Sequence, residues 1–172
     1  MSDNNTVTIR LRDSSDVPTL IRVLTDVHNL TKYPVDGPSS FLARFQSPNA
    51  IISIVALYEN ELAGHVELQP ATVLSPAITK ALASHAPIDS FATLVSLFVD
   101  PKFQGKGIGT RLIDEAVAYG KNERKRLALI VLEKDTTAIR MYERMGWERG
   151  VEYFYETLQG VKYRAFSYLA PA

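Results

Sequence analysis

Three closely spaced glycines lie in the segment Gln104-Gly105-Lys106-Gly107-Ile108-Gly109, between a predicted strand and a predicted helix. Glycine lacks a Cβ atom, so the backbone can adopt torsions that other residues avoid and can approach a ligand closely. The first N–H groups of the following helix have no acceptor within that helix. Because such a turn is suited to phosphate groups, residues 104–110 are predicted to bind an anion.

A tight connection between a strand and a helix could also explain two or three glycines without any ligand. The established phosphate-binding patterns do not decide the question, because a dinucleotide fold has G-x-G-x-x-G and a P-loop has G-x-x-x-x-G-K-[ST]. The segment fits neither spacing.

The segment does resemble the pyrophosphate loop of the GCN5-related N-acetyltransferase superfamily, which reads [QR]-x-x-G-x-[GA] between a strand and a helix. Gln104, Gly107 and Gly109 match that pattern. A second block is similar to the family's next motif, N-x-x-A-x-x-x-Y-x-x-x-G-[FW]. At its defined positions this sequence has Asp135, Ala138, Tyr142, Gly146 and Trp147, so Asp135 replaces the usual asparagine. Two motifs in the right order, over roughly residues 94–147, are more specific than either alone.

The resemblance implies that acetyl-coenzyme A is the acyl donor. The backbone of the preceding strand would bind the pantetheine arm, and an N–H group there would polarise the thioester oxygen. The glycine segment would hold the pyrophosphate, and Asp135 would be a weak contact because it lacks an amide donor. The residues implied in cofactor binding are Leu97, Phe98, Val99, Gln104, Gly105, Lys106, Gly107, Ile108, Gly109, Thr110, Asp135, Ala138 and Tyr142.

Two residues are the candidates for proton transfer. By resemblance, the hydroxyl of Tyr142 would protonate the departing thiolate of coenzyme A, although Tyr142 could also be an aromatic residue on a buried helix face. Many relatives carry a glutamate near the position of Ser96 that deprotonates the incoming ammonium. Serine is a poor base for this step. The step is required because an amine with a pKa of about 10 is mostly protonated at neutral pH.

Glu67 is the first candidate for this base, because it ends a strand that is expected to border the acceptor. The other candidates are His65, Asp89 and His28, and each of the four could equally be structural. No base is needed if the pKa of the acceptor is low.

The order of predicted elements indicates a mixed α/β fold with a central, twisted, mostly antiparallel sheet and helices on both faces. Residues 1–172 are predicted to form a single N-acetyltransferase domain. Residues 69–90, with three prolines around a short helix, look like an insertion near the acceptor site. A strand, the glycine segment, a helix ended by Gly120, another strand and a helix capped by Asp135 form the β-α-β-α unit. Two further strands joined through Gly160 complete the chain.

The acceptor is expected to be a primary amine of a small molecule, attacked directly in a ternary complex. Tyr33, Pro34 and Tyr155, with Tyr153 and Phe154 beside the last, would line its site. A protein N-terminus or lysine is an alternative, as is a longer acyl donor. A protein of another class, a non-catalytic sensor or scaffold that binds coenzyme A, is the main competing hypothesis.

Composition sets further limits. The formal net charge is zero, which argues against a broad nucleic-acid or membrane-binding face. There are no cysteines and the three histidines are scattered, so no metal is expected. The polar N-terminus and the lack of a long apolar stretch predict a cytoplasmic protein without a signal peptide. The last two strands could pair across a homodimer.

Overall fold

The computed structural model describes residues 6–172; the residues before Thr6, on which part of the signal-peptide argument depends, lie outside the described range. Seven strands and five α-helices follow one another along the described chain. They are β1 Val7–Leu11, α1 Val17–Thr31, α2 Phe41–Phe45, β2 Ile52–Tyr58, β3 Glu61–Pro70, α3 Pro76–Ala83, β4 Phe91–Val99, α4 Ile108–Asn122, β5 Arg126–Leu132, α5 Thr136–Arg144, β6 Glu148–Glu156 and β7 Lys162–Leu169.

The strands form one seven-stranded sheet in the order β1-β2-β3-β4-β5-β7-β6. Antiparallel pairs join β1 to β2, β5 to β7 and β6 to β7. β4 and β5 are parallel, as expected for strands connected through a helix, here α4. The predicted mixed α/β class with a mostly antiparallel sheet is confirmed.

The residues group into two compact units. The first unit comprises the chain up to Glu67 together with Ser96–Ala116, and the second comprises Leu68–Val95 and Val117–Ala172. The prediction of a single domain over residues 1–172 stays a prediction, and the two units are described one at a time.

Helix α1 supplies much of the core of the first unit. Asp13 and Asp16 form a capping box at the 3-10 turn before α1, and Arg10 holds Asp16 with two bonds of 2.8 Å. The apolar positions of α1 repeat at helical spacing and are buried with α2 and β4. This core contains Leu20, Val23, Leu24, Val27, Phe41, Phe45, Val55, Leu62 and Phe98.

The predicted insertion has a core of its own in the second unit. Ile78 and Leu82 of α3 are buried with Phe91 and Ala128, and Tyr153 of β6 packs against them. The insertion begins later than its prediction, because Gln69 and Pro70 still belong to β3. Helix α3 therefore packs against the second unit's own core through its apolar side chains.

Two helix ends differ from their predictions. Gly120 does not end α4, which runs on to Asn122; the left-handed residue Arg124 follows. A Cβ atom at Gly120 would lie 2.8 Å from the carbonyl oxygen of Lys125, so this glycine allows close packing. Asp135 precedes α5 but its side chain makes no capping hydrogen bond, since the carboxylate contacts Lys134 Nζ at 3.0 Å.

Candidate functional site

The glycine segment of the first unit has the backbone that its sequence predicts. Gly105 has φ 77° and Gly107 has φ 75°, in the left-handed region that favours glycine. The first hydrogen bond of α4 joins Arg111 N–H to the carbonyl of Gly107 at 3.0 Å. The N–H groups of residues 108–110 therefore precede any acceptor within the helix. Nothing lies within 4 Å of a Cβ built on either glycine, so the loop faces open space.

The cations near this loop have different partners. Lys106 is exposed, with Nζ 5.8 Å from the centre of the Tyr58 ring. Arg111 donates to the carbonyl of Val7 at 3.3 Å. Gln104 donates to the carbonyl of Val99 at 3.4 Å, which links the loop to the end of β4. Lys106 is thus the side chain best placed to add charge at the loop.

The end of β4 contains an unusual backbone residue. Ser96 has φ 53°, although it is not a glycine and its exposed fraction is only 4%. Such a conformation persists only where surrounding contacts hold it, and it is found most often at functional sites. Phe98 is buried in the core of the first unit, whereas Leu97 and Val99 are half-buried.

The ladder between β4 and β5, within the second unit, is short. It joins Phe91 to Arg126, Ala92 to Leu127 and Thr93 to Ala128. The two strands contain nine and seven residues, so the ladder covers less than half of each. The main-chain groups of Leu94 and Val95 lie beyond it.

A polar cluster in the first unit surrounds Ser96. Its members are the buried residues His65, Glu67 and Ser96 and the half-buried residues Arg12, Arg44 and Ser53. Arg12 Nη1 contacts His65 Nε2 at 3.0 Å and Glu67 Oε1 at 3.4 Å. The other Arg12 nitrogen donates to the carbonyl of Phe45 at 2.9 Å. Ser53 donates to Glu67 Oε1 at 2.8 Å.

His65 connects this cluster to the unusual residue of β4. Its Nδ1 lies 2.8 Å from the carbonyl oxygen of Ser96, which can only accept, so Nδ1 carries the hydrogen. Nε2 then accepts from Arg12. The pKa of His65 is lowered to about 4, mainly by burial and also by the nearby Arg12 and Arg44 cations, while the bond to Ser96 opposes the shift. His65 is therefore a neutral residue that holds the Ser96 carbonyl, and its lone pair is already used.

This lowered pKa predicts a loss of stability in acid. Because the pKa of His65 is about 4 when folded and 6.5 ordinarily, the unfolded chain binds more protons as pH falls through that interval. The neutral, buried His65 contributes fully to stability above its ordinary pKa of 6.5, and this contribution is lost as the pH falls toward its folded pKa of about 4. Between about pH 7 and about pH 5, the free energy of unfolding should fall by about 2 kcal/mol more than in His65→Gln. Urea unfolding at both pH values measures this, and equal losses would contradict it.

Glu67 is buried, with an exposed fraction of 1%. The guanidinium of Arg12 and the hydroxyl of Ser53 face the same carboxylate oxygen. A carboxylate this buried can exchange a proton with an incoming ammonium only through a relay such as a water molecule. The structure brings Glu67 and His65 together, and the assignment of Glu67 as the base stays a prediction.

The other two candidate bases lie apart from this cluster. His28 packs its ring edge-on against Phe41 at 5.8 Å, and its Nδ1 is buried without a hydrogen-bond partner. Asp89 belongs to the second unit, where it is exposed on a 3-10 turn and its carbonyl accepts from Lys125. Neither contact indicates a role in proton transfer.

Tyr142 lies in the second unit on the buried face of α5. Its ring is 5.5 Å from that of Trp147 and 6.4 Å from that of Tyr168, and its exposed fraction is 6%. Ala138 is on the same helix. A tyrosine that protonates the thiolate and a tyrosine that only packs in the core both need a ring held in place. The burial and ring contacts of Tyr142 therefore fit either interpretation.

The predicted acceptor residues differ in setting. In the first unit Pro34 is buried, and the ring of Tyr33 packs on the core and lies 5.9 Å from the guanidinium carbon of Arg44. In the second unit, Tyr153 and Tyr155 alternate with Phe154 along β6, so Phe154 lies on the opposite face of the strand from the two tyrosines. Burial raises the pKa of Tyr153 to about 12.

Sequence reasoning missed Arg12 and Arg44 entirely. One signal was available, because His65 and Glu67 are two apart on a predicted strand and so share a face that, if buried, needs a polar partner. Nothing in the sequence indicates which cation supplies it.

Two kinds of feature are absent from residues 6–172. No helix there combines the length and apolar character needed to cross a membrane. No group of three or more His, Asp or Glu side chains in that range is arranged to hold a metal ion.

Comparison with known proteins identifies relatives. The model of the acetyltransferase (GNAT) family matches residues 21–147. An uncharacterized N-acetyltransferase of Methanocaldococcus jannaschii is 43% identical over 58 residues, which span 33% of this chain and 26% of that relative.

Solved structures agree on the fold. The ribosomal-protein-S18-alanine N-acetyltransferase of Escherichia coli has a TM-score of 0.69 at 20% identity, covering 96% of this chain and 93% of that one. NAA60 of Arabidopsis thaliana in complex with acetyl-CoA has a TM-score of 0.72 at 20% identity, covering 95% of this chain and 97% of that one. A putative phosphinothricin N-acetyltransferase has a TM-score of 0.70 at 18% identity, again covering 95% of this chain and 97% of that one. At such identities the likeness concerns the fold.

Proposed function

Because the chain belongs to the acetyltransferase (GNAT) family, we propose that it transfers the acetyl group of acetyl-coenzyme A to a primary amine in a ternary complex. The observation that carries this proposal is the backbone of the glycine segment. Two left-handed glycines open onto free space directly before a helix whose first N–H groups lack internal acceptors.

The first unit supplies the groups that bind the pyrophosphate and the pantetheine arm. Gly105, Lys106, Gly107, Ile108, Gly109 and Thr110 bind the pyrophosphate, with Gln104 holding the loop to β4. Main-chain groups of Leu97, Phe98 and Val99 bind the pantetheine. An N–H of Phe98 or Val99 donates to the thioester oxygen, where negative charge develops as the amine attacks.

Acetyl-coenzyme A supplies an acetyl group on a thioester, which an unprotonated amine attacks. The residues of the chain then have two tasks, which are to remove the proton of the incoming ammonium and to return one to the departing thiolate. We assign the second task to the Tyr142 hydroxyl and the first, through water, to Glu67. Asp135 and Ala138 are assigned only weak contacts with the donor.

Tyr142→Phe tests the assignment of the acid. Removing the hydroxyl deletes the proton donor but keeps the buried ring, so turnover should fall by about 10²- to 10⁴-fold while the Kd for acetyl-coenzyme A stays nearly unchanged. Thiol release over a panel of amines measures turnover, and isothermal titration measures binding. Tyr119→Phe, which removes one tyrosine hydroxyl from α4 at a position with no assigned role, is the comparison variant.

Glu67→Gln belongs in the same experiment. The amide can still accept from Ser53 but cannot take a proton, so a pH-dependent loss of turnover supports a base, and an unchanged pH profile shows that Glu67 is structural. If acetyl-coenzyme A binds and no amine releases thiol even from the unaltered protein, the non-catalytic sensor is the better account. Unchanged thiol release in Tyr142→Phe contradicts the acid.

A small-molecule amine is our first choice of acceptor. The similar structures include a ribosomal-protein-S18-alanine N-acetyltransferase and a putative phosphinothricin N-acetyltransferase, so both kinds of acceptor are to be tested. Tyr33 and Pro34 are assigned to the acceptor side of the first unit, and Tyr155 to that of the second. Peptides with free N-termini belong in the amine panel for the same reason.

A further inference from the structure

The side chain of Arg44 is a cation without a carboxylate partner beside the unusual residue of β4. Its Nη1 donates to Ser96 Oγ at 3.1 Å, and its guanidinium carbon lies 5.9 Å from the centre of the Tyr33 ring. Arg44 forms no ion pair within residues 6–172, and its Nε is buried without a hydrogen-bond partner. A half-buried guanidinium of this kind has donor capacity that the protein does not use.

The neighbouring groups add to this imbalance. Arg12 faces Glu67 and His65 is neutral, so these charges cancel within the polar cluster. Arg44 therefore leaves one positive charge in excess next to Ser96. Burying an unpaired donor of a charged group is costly, and a planar guanidinium is suited to a carboxylate that accepts two parallel hydrogen bonds.

We propose that Arg44 binds a carboxylate carried by the acceptor, so that the substrate is a small amine that also bears a carboxylate, as an amino acid does. This inference rests on the proposed function, because Ser96 lies in the same strand as the groups assigned to the thioester. Ser96 and the face of Tyr33 complete the site. The two terminal nitrogens of the guanidinium, of which Nη1 also donates to Ser96 Oγ, donate to the carboxylate in parallel, and the amine extends from it.

The Arg44 charge has a second consequence for the acceptor. A cation close to an ammonium favours loss of the ammonium proton, since it disfavours the charged form. Arg44 therefore holds the carboxylate and offsets its negative charge, which would otherwise raise the pKa of the amine. This reduces the need for a base at the position of Ser96.

Matched acceptor pairs test the proposal. Each pair consists of an amino acid and the amine that lacks only its carboxylate, such as phenylalanine and phenethylamine or histidine and histamine. We expect that the amino acid of the best pair has a kcat/KM about 10- to 100-fold higher. Arg44→Met should abolish this preference by raising the KM of the amino acid, while the KM of acetyl-coenzyme A and the melting temperature change little. Arg44→Lys, which keeps the charge but loses the fork, should restore part of it.

The outcomes separate this inference from the proposed function. The inference is overturned if the amino acid and the matching amine give equal rates of thiol release, or if Arg44→Met changes both rates equally. Either result leaves the proposed acetyltransferase function standing. If no acceptor of either series releases thiol, the proposed function fails. In that case titration of the same amino acids into the protein saturated with coenzyme A decides the inference, because Arg44-dependent binding supports it and binding that Arg44→Met leaves unchanged overturns it.

Discussion

Gly107→Val is expected to weaken the binding of acetyl-coenzyme A by at least about 100-fold. Gly107 has φ 75°, and a β-branched residue is a severe outlier in that region, so the loop must leave the conformation that presents the helix N–H groups. Each 1.4 kcal/mol of lost binding free energy is tenfold in Kd, and about 3 kcal/mol of strain and lost hydrogen bonds accounts for the effect. Isothermal titration with acetyl-coenzyme A measures it.

Gly160→Val is the matched control. Gly160 has φ 81° in the turn between β6 and β7, and a Cβ there meets only the Glu156 side chain at 4.0 Å. The backbone strain is therefore the same kind, but the position is outside the glycine segment. Gly160→Val should lower the melting temperature and leave the Kd unchanged. Equal affinities of the two variants for acetyl-coenzyme A would refute the phosphate-binding loop and remove the main support for the proposed function.

The features that sequence predicted well depend on residues close together in the chain. Gly105 and Gly107 could be identified because a left-handed turn before a helix requires glycine locally. Gly146 and Gly160 at the ends of α5 and β6 have the same explanation, with φ 86° and 81°. The mixed α/β class with a mostly antiparallel sheet followed from the order of predicted elements.

The features that sequence missed depend on distant residues. Arg44 and Ser96 are 52 positions apart, and Arg12 and His65 are 53 apart, so only the fold brings them together. The left-handed backbone of Ser96 has no local signal either, because serine does not require it. His65 and Glu67 are candidate bases by sequence, yet their chemistry depends on Arg12, which contacts both side chains.

Arg12→Met should give the largest loss of stability, about 3 to 5 kcal/mol of unfolding free energy. Arg12 is the cation that faces the buried carboxylate of Glu67, and it also donates to His65 and to the carbonyl of Phe45. Methionine fills similar space but leaves the negative charge uncompensated in a setting where water cannot replace the cation. Urea unfolding monitored by circular dichroism measures the change.

Two further variants decide whether charge is the cause. Arg22→Met removes an arginine from the pair with Asp26, whose side chains are both 50% exposed, and should cost less than about 1 kcal/mol. Arg12→Met combined with Glu67→Gln removes the carboxylate charge as well, so it should recover part of the loss. If the double variant is as unstable as the sum of the single ones, the hydrogen bonds to His65 and Phe45 dominate instead. The cluster then owes its stability to the anchoring of α2 and β4, with the Glu67 charge of little consequence.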